Sequence, residues 1–324
     1  MAEKIDRIGI LTSGGDAPGM NSAIRAAALA AMHNGIECVG IRRGFCGLVG
    51  SDVYPLTKRD VNNITSRGGT MLYTARCADF YSKKGQKRGA ENCRFLGLDG
   101  LVVIGGDGSM QGALRLLELG ISVVCIPATI DNDIGCTSYS IGFDTACNTA
   151  IEAVDKLNDT MQSHERCSIV EVMGHKTGYL ALNVGISVSA TSTLIPEIRA
   201  DFENDVIEKI RAGRIAGSTR FTVIVAEGAG NVNEISEKIQ KEIGVETRVT
   251  TLGHVQRGGS PLVRDRVTAA QFGYCAVELL RSGQSGKVVA MRGEQCEAVD
   301  IKEAINTKKA INRDIRAMQE ALMS

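Results

Sequence analysis

The 324-residue chain is 44% hydrophobic and 23% charged, and its 37 basic and 37 acidic side chains cancel to a formal net charge of zero. That balance argues against a general nucleic-acid binder, which carries a basic excess. No apolar run approaches the roughly 20 residues of a membrane helix, so neither nucleic acid nor membrane is an expected partner.

The composition is ordinary for a globular protein, and the length suits two domains or one large α/β unit. At the N-terminus, "MAEKIDRIGILTSGG" has only a four-residue apolar run, Ile8 to Leu11, before a glycine turn, so no secretion signal is expected. Ten cysteines are scattered without a C-x-x-C pair. They read as reduced, mostly buried thiols, and the expected location is the cytoplasm.

In chain order, "RIGILTS" (7–13) is a compact apolar strand, followed by a glycine turn and a helix around "MNSAIRAAALAAMHNG". "CVGIRRG" (38–44), "LVVIGG" (101–106) and "SVVCIPA" (122–128) are further strands rich in Val and Ile. The helical pattern "MQGALRLLELG" (110–120) between the last two makes a βαβ unit. Then come the helix "DTACNTAIEAVDKL" (144–157) and the strands "SIVEVMG" (168–174), "FTVIVAEG" (221–228), "RVTTLG" (248–253) and "KVVAMRG" (287–293). Uninterrupted apolar strands alternating with helices predict an α/β fold with parallel sheet covered on both faces. A ligand then belongs beyond the carboxyl ends of the strands.

Three stretches at such strand ends carry chemistry. In "TSGGDAPGMN" (12–21), glycines let the backbone approach a ligand, and Pro18 can occupy the first turn of the following helix. A phosphate there would meet free N–H groups and the positive end of the helix. Asp16 reads as a helix-start carboxylate. In "GGDGS" (105–109), Asp107 would repel phosphates unless a cation lay between, which suggests Mg2+. In "VCIPATIDNDIG" (124–135), an apolar strand ends in a proline and releases two carboxylates, Asp131 and Asp133. Each glycine turn alone is an ordinary βα turn, and neither is a complete P-loop or G-x-G-x-x-G. Together with the carboxylate pair they favour phosphoryl transfer. Asp131 could take the proton of an attacking hydroxyl, and Asp133 could orient that hydroxyl or hold metal.

"GGDGS", "TIDND", "VEVMGHKTG" and "LGHVQRGGSP", in this order, resemble the bacterial type of the ATP-dependent 6-phosphofructokinase family, and the likeness runs over essentially the whole chain. It implies two doubly wound, mainly parallel sheet domains with the active site in the cleft between them. Residues 1–142 plus 256–306 would form the ATP-binding domain, and 143–255 plus 307–324 the fructose 6-phosphate-binding domain. The implied reaction carries the ATP γ-phosphate to the 1-hydroxyl of fructose 6-phosphate with Mg2+, in glycolysis. Asp131 would be the base, with Thr129 and Asp133 beside it. Gly15 and Arg76 would stabilise the transferring phosphoryl. Asp107 would bind Mg2+, and Cys77, Gly106, Gly108 and Ser109 would line the nucleotide. The sugar phosphate would meet Met173, Gly174, His175, Glu227, His254 and Arg257, with Arg166 and Arg248 from a neighbouring subunit of a homotetramer. The arginines and His254 suit a dianionic 6-phosphate.

The sequence also departs from the family pattern. Pyrophosphate-dependent relatives carry Asp at position 108 and Lys at 128; here Gly108 and Ala128 favour ATP, although ATP enzymes usually have Gly at 128. A left-handed backbone there would charge the alanine about 1 kcal/mol. His175 replaces a usual arginine. At the family's site for ADP or phosphoenolpyruvate, Arg25 is kept and Lys58 keeps only a charge. Leu29, Asn158 and Thr219 replace cations, and Asn63 and Thr191 replace acids. The usual effector site is therefore expected to be degraded. A pyrophosphate-dependent enzyme, a kinase of another sugar phosphate and a non-catalytic regulatory paralogue are the alternatives.

Overall fold

The computed structural model describes residues 4–322. Its strands are β1 (Arg7–Ser13), β2 (Glu37–Ile41), β3 (Val53–Pro55), β4 (Gly100–Gly105), β5 (Val123–Pro127), β6 (Cys167–Val172), β7 (Ser192–Leu194), β8 (Phe221–Ala226), β9 (Thr247–Thr251), β10 (Lys287–Arg292) and β11 (Gln295–Asp300). The chain divides into two compact units. The larger holds the described residues of Met1–Thr129, Asp133–Thr145 and Arg257–Lys309; the smaller holds those of Ile130–Asn132, Ala146–Gln256 and Ala310–Ser324.

The larger unit contains a seven-stranded sheet in the order β11-β10-β5-β4-β1-β2-β3. Its inner strands pair in parallel. At the two edges, β3 and β11 pair antiparallel. The apolar runs of β1, β4 and β5 are buried along almost their whole length, because the sheet is covered on both faces. One cluster gathers Leu11, Ile41, Leu48, Val103 and Leu116. Sequence reading misses β3 and β11 for a physical reason. An edge strand has one solvent side, so "VYP" is short and ends in proline and "QCEAVD" is largely exposed. The strand expected to continue to residue 44 stops at Ile41, and Arg43 turns with φ +56°.

Strand order places β2 on one side of β1 and β4 on the other, so the order reverses at the carboxyl ends of β1 and β4. Those ends are level with a third: Ser13 pairs with Gly105, and Gly105 with Pro127. The helix after β1 begins only at Met20. Pro18 therefore lies in the turn before it, not in its first turn as the sequence suggests, and Asp16 is no helix-start carboxylate. The residue at the helix entry is Gly19, at φ +105°, where an added Cβ would sit 2.6 Å from Ile141 Cγ2.

Residues 139–145 are fixed by Asp265, which is fully buried. Asp265 Oδ1 accepts from the Tyr139 hydroxyl at 2.5 Å and the Gly142 amide at 2.6 Å, and Oδ2 from the Thr145 amide at 2.9 Å and hydroxyl at 2.5 Å. Burial pushes the carboxyl above its usual range, and the four donors oppose that rise.

The smaller unit has a four-stranded, wholly parallel sheet in the order β7-β8-β6-β9. Cys167, Ile169, Val223, Val225, Ile235 and Ile239 form its core cluster. Helix Val232–Ile243 opens on Asn231, whose side chain accepts from the amide of Asn233 at 2.9 Å, and closes on Gly244 at φ +73°. None of the ten cysteines is in a disulfide, and six are buried. No helix among the described residues is long and apolar enough to cross a membrane.

Replacing Asp265 by Ala strands several buried donors and is expected to cost about 3–5 kcal/mol of stability. Asp265→Asn, which keeps an acceptor, should cost less. Thermal unfolding by circular dichroism checks the order; equal melting temperatures for all three proteins would deny the network its weight.

Candidate active site

At the end of β1, Thr12 Oγ1 donates to the Tyr73 carbonyl at 3.0 Å, and Thr74 Oγ1 donates to the Gly14 carbonyl at 2.6 Å. These bonds tie the segment bearing Arg76 and Cys77 to the first glycine turn. Arg76 is exposed, and its carbonyl accepts from Cys46 Sγ at 3.5 Å. Cys77 is partly buried against the core of this unit. Gly15 lies directly against the guanidinium of Arg257, which a Cβ there would displace. Arg257 Nη1 donates to the Asp16 carbonyl at 3.2 Å. Arg257, expected among the sugar-phosphate ligands, thus stands at the first glycine turn.

The second turn follows β4. Gly105 is pressed between Ser13 and Ser109, so no larger residue fits. Gly106 precedes the helix Asp107–Glu118. Asp107 is exposed, and its Oδ2 accepts from Gln111 Nε2 at 2.7 Å. Gly108 is different from Gly105: its φ is not positive, and an added Cβ would meet nothing within 4 Å. A glycine in a helix costs about 1 kcal/mol relative to alanine, and here the fold gives no reason for it. Ser109 is buried, with its Oγ lacking a hydrogen-bond partner.

Beyond β5, Ala128 is bridged to Ile141 and donates its amide to the Gly105 carbonyl at 3.0 Å. Its φ is not positive, so its methyl costs nothing. The Thr129 carbonyl accepts from Ser140 Oγ at 2.7 Å. Thr129 and Asp131 are buried, 8% and 9% exposed, and Asp133 is half-buried. Between the two carboxylates Asn132 takes φ +51°. A left-handed residue there turns the chain between the two carboxylates. Asp131 counts with the smaller unit and Asp133 with the larger.

In the smaller unit, β6 and β8 end side by side, with Val172 opposite Ala226. Met173, Gly174 and His175 follow the first, Glu227 the second. Glu227 Oε1 accepts from the amides of Gly174 at 3.2 Å and His175 at 2.5 Å, which holds His175 at φ +56°. The Met173 amide donates to Oε1 of the fully buried Gln256 at 3.3 Å. His254 is exposed on the short helix Gly253–Arg257, past the end of β9. Sequence reasoning overlooked Gln256, which lies within "GHVQRGG" between two residues it did choose.

Arg166 and Arg248 are elsewhere. Arg166 precedes β6, and Arg248 sits beside Ser168 in register. Both are at the amino edge of the sheet, about 20 Å along β6 from Met173. Glu246 joins them: Arg166 Nε is 2.7 Å from its Oε2, and Arg248 pairs with its Oε1. Arg166 first, then Arg248, holds the Glu246 carboxyl below its usual range.

Among the described residues no three His, Cys, Asp or Glu side chains gather into a metal cage. A single exposed carboxylate such as Asp107 suits Mg2+, which takes one or two protein carboxylates and keeps water and phosphate oxygens as its other ligands.

The family model described as "Phosphofructokinase" matches residues 7–280. An ATP-dependent 6-phosphofructokinase of Clostridium tetani is 46% identical over 316 residues, 98% of this chain and 99% of that one. ATP-dependent 6-phosphofructokinase 1 of Clostridium perfringens is 44% identical over the same shares. The structure of phosphofructokinase from Saccharomyces cerevisiae superposes with a TM-score of 0.88 at 31% identity; it covers 98% of this chain, which spans 46% of the yeast chain. A pyrophosphate-dependent phosphofructokinase from Marinobacter aquaeolei shares the fold, with a TM-score of 0.85 at 19% identity over 99% of this chain and 92% of that one.

If the openness at position 108 serves something outside the chain, Gly108→Ala leaves the melting temperature unchanged or slightly higher. A clear drop in melting temperature, measured by differential scanning fluorimetry, would show that the fold itself needs this glycine.

Proposed function

Since the chain belongs to the phosphofructokinase family, we infer that it is an ATP-dependent 6-phosphofructokinase, a phosphotransferase that moves the γ-phosphate of ATP to the 1-hydroxyl of fructose 6-phosphate, the glycolytic reaction. The observation that carries the choice of donor is Gly108, which leaves open space at the start of its helix where a nucleotide needs it. Ala128 adds no cation beside it.

The larger unit takes the nucleotide. The glycine turns at Gly15 and at Gly106–Ser109 offer backbone N–H groups to phosphates, and the orphaned Ser109 hydroxyl supplies a further donor. Arg76 is the cation beside the first turn. Asp107 would hold Mg2+, which would supply neutralisation of the phosphate charge. Asp131 accepts the proton of the sugar's 1-hydroxyl as the oxygen attacks phosphorus, and Thr129 and Asp133 orient that hydroxyl. In-line attack needs the hydroxyl held still, so positioning contributes much of the rate.

The smaller unit takes the sugar phosphate at the carboxyl edge of its sheet, through Met173, Gly174, His175, Glu227 and His254; Arg257 is carried over from the family pattern as a further ligand of it. Arg166 and Arg248 at the far edge serve a second copy's site. The separation along β6 supports that sharing; a homotetramer and a cytoplasmic location are proposed from the family pattern.

The effector site is degraded. Asn158 is buried and its Oδ1 accepts from Thr222 Oγ1 at 2.7 Å; Thr191 Oγ1 accepts from the Thr222 amide at 3.1 Å. Two positions where a charged ligand set is expected are thus used inside the fold.

Turnover of fructose 6-phosphate with Mg2+ is expected with ATP and not with pyrophosphate. Pyrophosphate alone would reverse the donor assignment, and no turnover with either would favour a regulatory paralogue. Asp131→Ser should slow turnover about 10²–10⁴-fold with ATP affinity retained; near-normal kcat removes Asp131 from the mechanism. Co-expressing Asp131→Ser with Arg248→Ala chains should restore activity that neither shows alone, and a failure to restore it places both groups in one copy's site. Millimolar ADP and phosphoenolpyruvate should leave the initial rate unchanged.

A further inference from the structure

In the smaller sheet β6 lies between β8 and β9, and the loop that leaves it is held from both sides. On the β8 side, Glu227 Oε1 accepts from the Gly174 amide at 3.2 Å and the His175 amide at 2.5 Å. On the β9 side, the Met173 amide donates to Gln256 Oε1 at 3.3 Å, and Gln256 Nε2 donates to the Gly253 carbonyl at 3.0 Å. Within the loop, the Thr177 amide and hydroxyl both donate to the Gly174 carbonyl, at 2.9 and 3.0 Å. Three successive amides beyond the last ladder pair of β6 thus find their acceptors in two side chains.

The two side chains differ. Glu227 is half-buried and is itself expected against the sugar. Gln256 is fully buried, and the groups bonded to its side chain are backbone groups of two separate loops. A buried amide is costly unless both of its ends are bonded, and this one uses them on Met173 and on the residue before His254. Gly253 sits at φ +55°, where an added Cβ would meet nothing, so the turn needs glycine for its backbone and not for room. The chain leaves the smaller unit directly after Gln256.

We propose that Gln256 is a positioning residue for the sugar phosphate: buried away from the ligand, it fixes the loop Met173–His175 against the turn that carries His254. An apolar residue of the same size would fill the space without joining the two loops. The proposal rests on the reading of this edge as the sugar-phosphate site.

Gln256→Met keeps the volume and removes both hydrogen bonds, and it is read in two ways. In turnover, KM for fructose 6-phosphate should rise about 10- to 100-fold, with KM for ATP little changed. In amide hydrogen exchange without substrate, protection at 173–175 should fall while protection in β8 stays. A rise shared equally by both KM values means a general loosening and overturns the positioning role, as does faster exchange with KM for fructose 6-phosphate unchanged. Unchanged exchange at 173–175 overturns the anchoring whether or not the chain is a kinase. If the wild-type chain bound no fructose 6-phosphate in calorimetry, the sugar-phosphate reading and the role would fall together, and exchange would still decide the anchoring. Should Gln256→Met not fold, Gln256→Asn, one methylene shorter, is read by the same outcomes.

Discussion

One carboxylate that sees no solvent organises the carboxyl edge of the larger sheet. Asp265 draws the Tyr139 hydroxyl, the Gly142 amide and both donors of Thr145 onto its two oxygens. A buried charge of this kind is costly unless every lone pair is used, and that cost makes the arrangement specific. Residues 139–145 cannot drift without stranding it. They in turn press on the first glycine turn: a Cβ at Gly142, which has φ +105°, would sit 2.6 Å from that of Ala17. The position of the first candidate phosphate turn is thus inherited from a contact with helix Val263–Arg281.

The glycines at these turns are there for different reasons. Gly105 is required by the chain's own atoms, Ser13 and Ser109, and Gly15 lies against the movable guanidinium of Arg257. Gly108 is required by nothing in the chain. A glycine forced by packing says that two parts of the fold meet; a glycine left open where helix propensity disfavours it marks room kept for something else.

The inner strands were legible in the sequence because a parallel sheet covered on both faces needs unbroken apolar runs, and "LVVIGG" and "FTVIVA" are such runs. The edge strands β3 and β11 were not, since solvent on one side removes the signal, and β7 was missed because it is only three residues long. Gly106–Ser109 and the Thr129–Asp133 stretch could be found because each lies within a few residues of a strand end. Asp265 gave no local sign: it acts on groups more than a hundred positions away, and only the folded chain brings the two ends of those interactions together. Pro18 misled for the opposite reason. Its local preference for a helix's first turn gave way to the left-handed Gly19 that follows it.

Glu246 has a consequence for any anion that approaches the amino edge of the smaller sheet. Arg166 and Arg248 already share this carboxylate, and they keep it ionised below the usual range. A phosphate arriving there finds two guanidiniums with a resident competitor, so its capture is an exchange of one anion for another. Exchange makes part of the ligand's gain a loss for Glu246, which tempers affinity and leaves a return partner ready when the ligand departs. For a phosphate bound there as proposed, release would be assisted by the same side chain that holds the arginines in its absence.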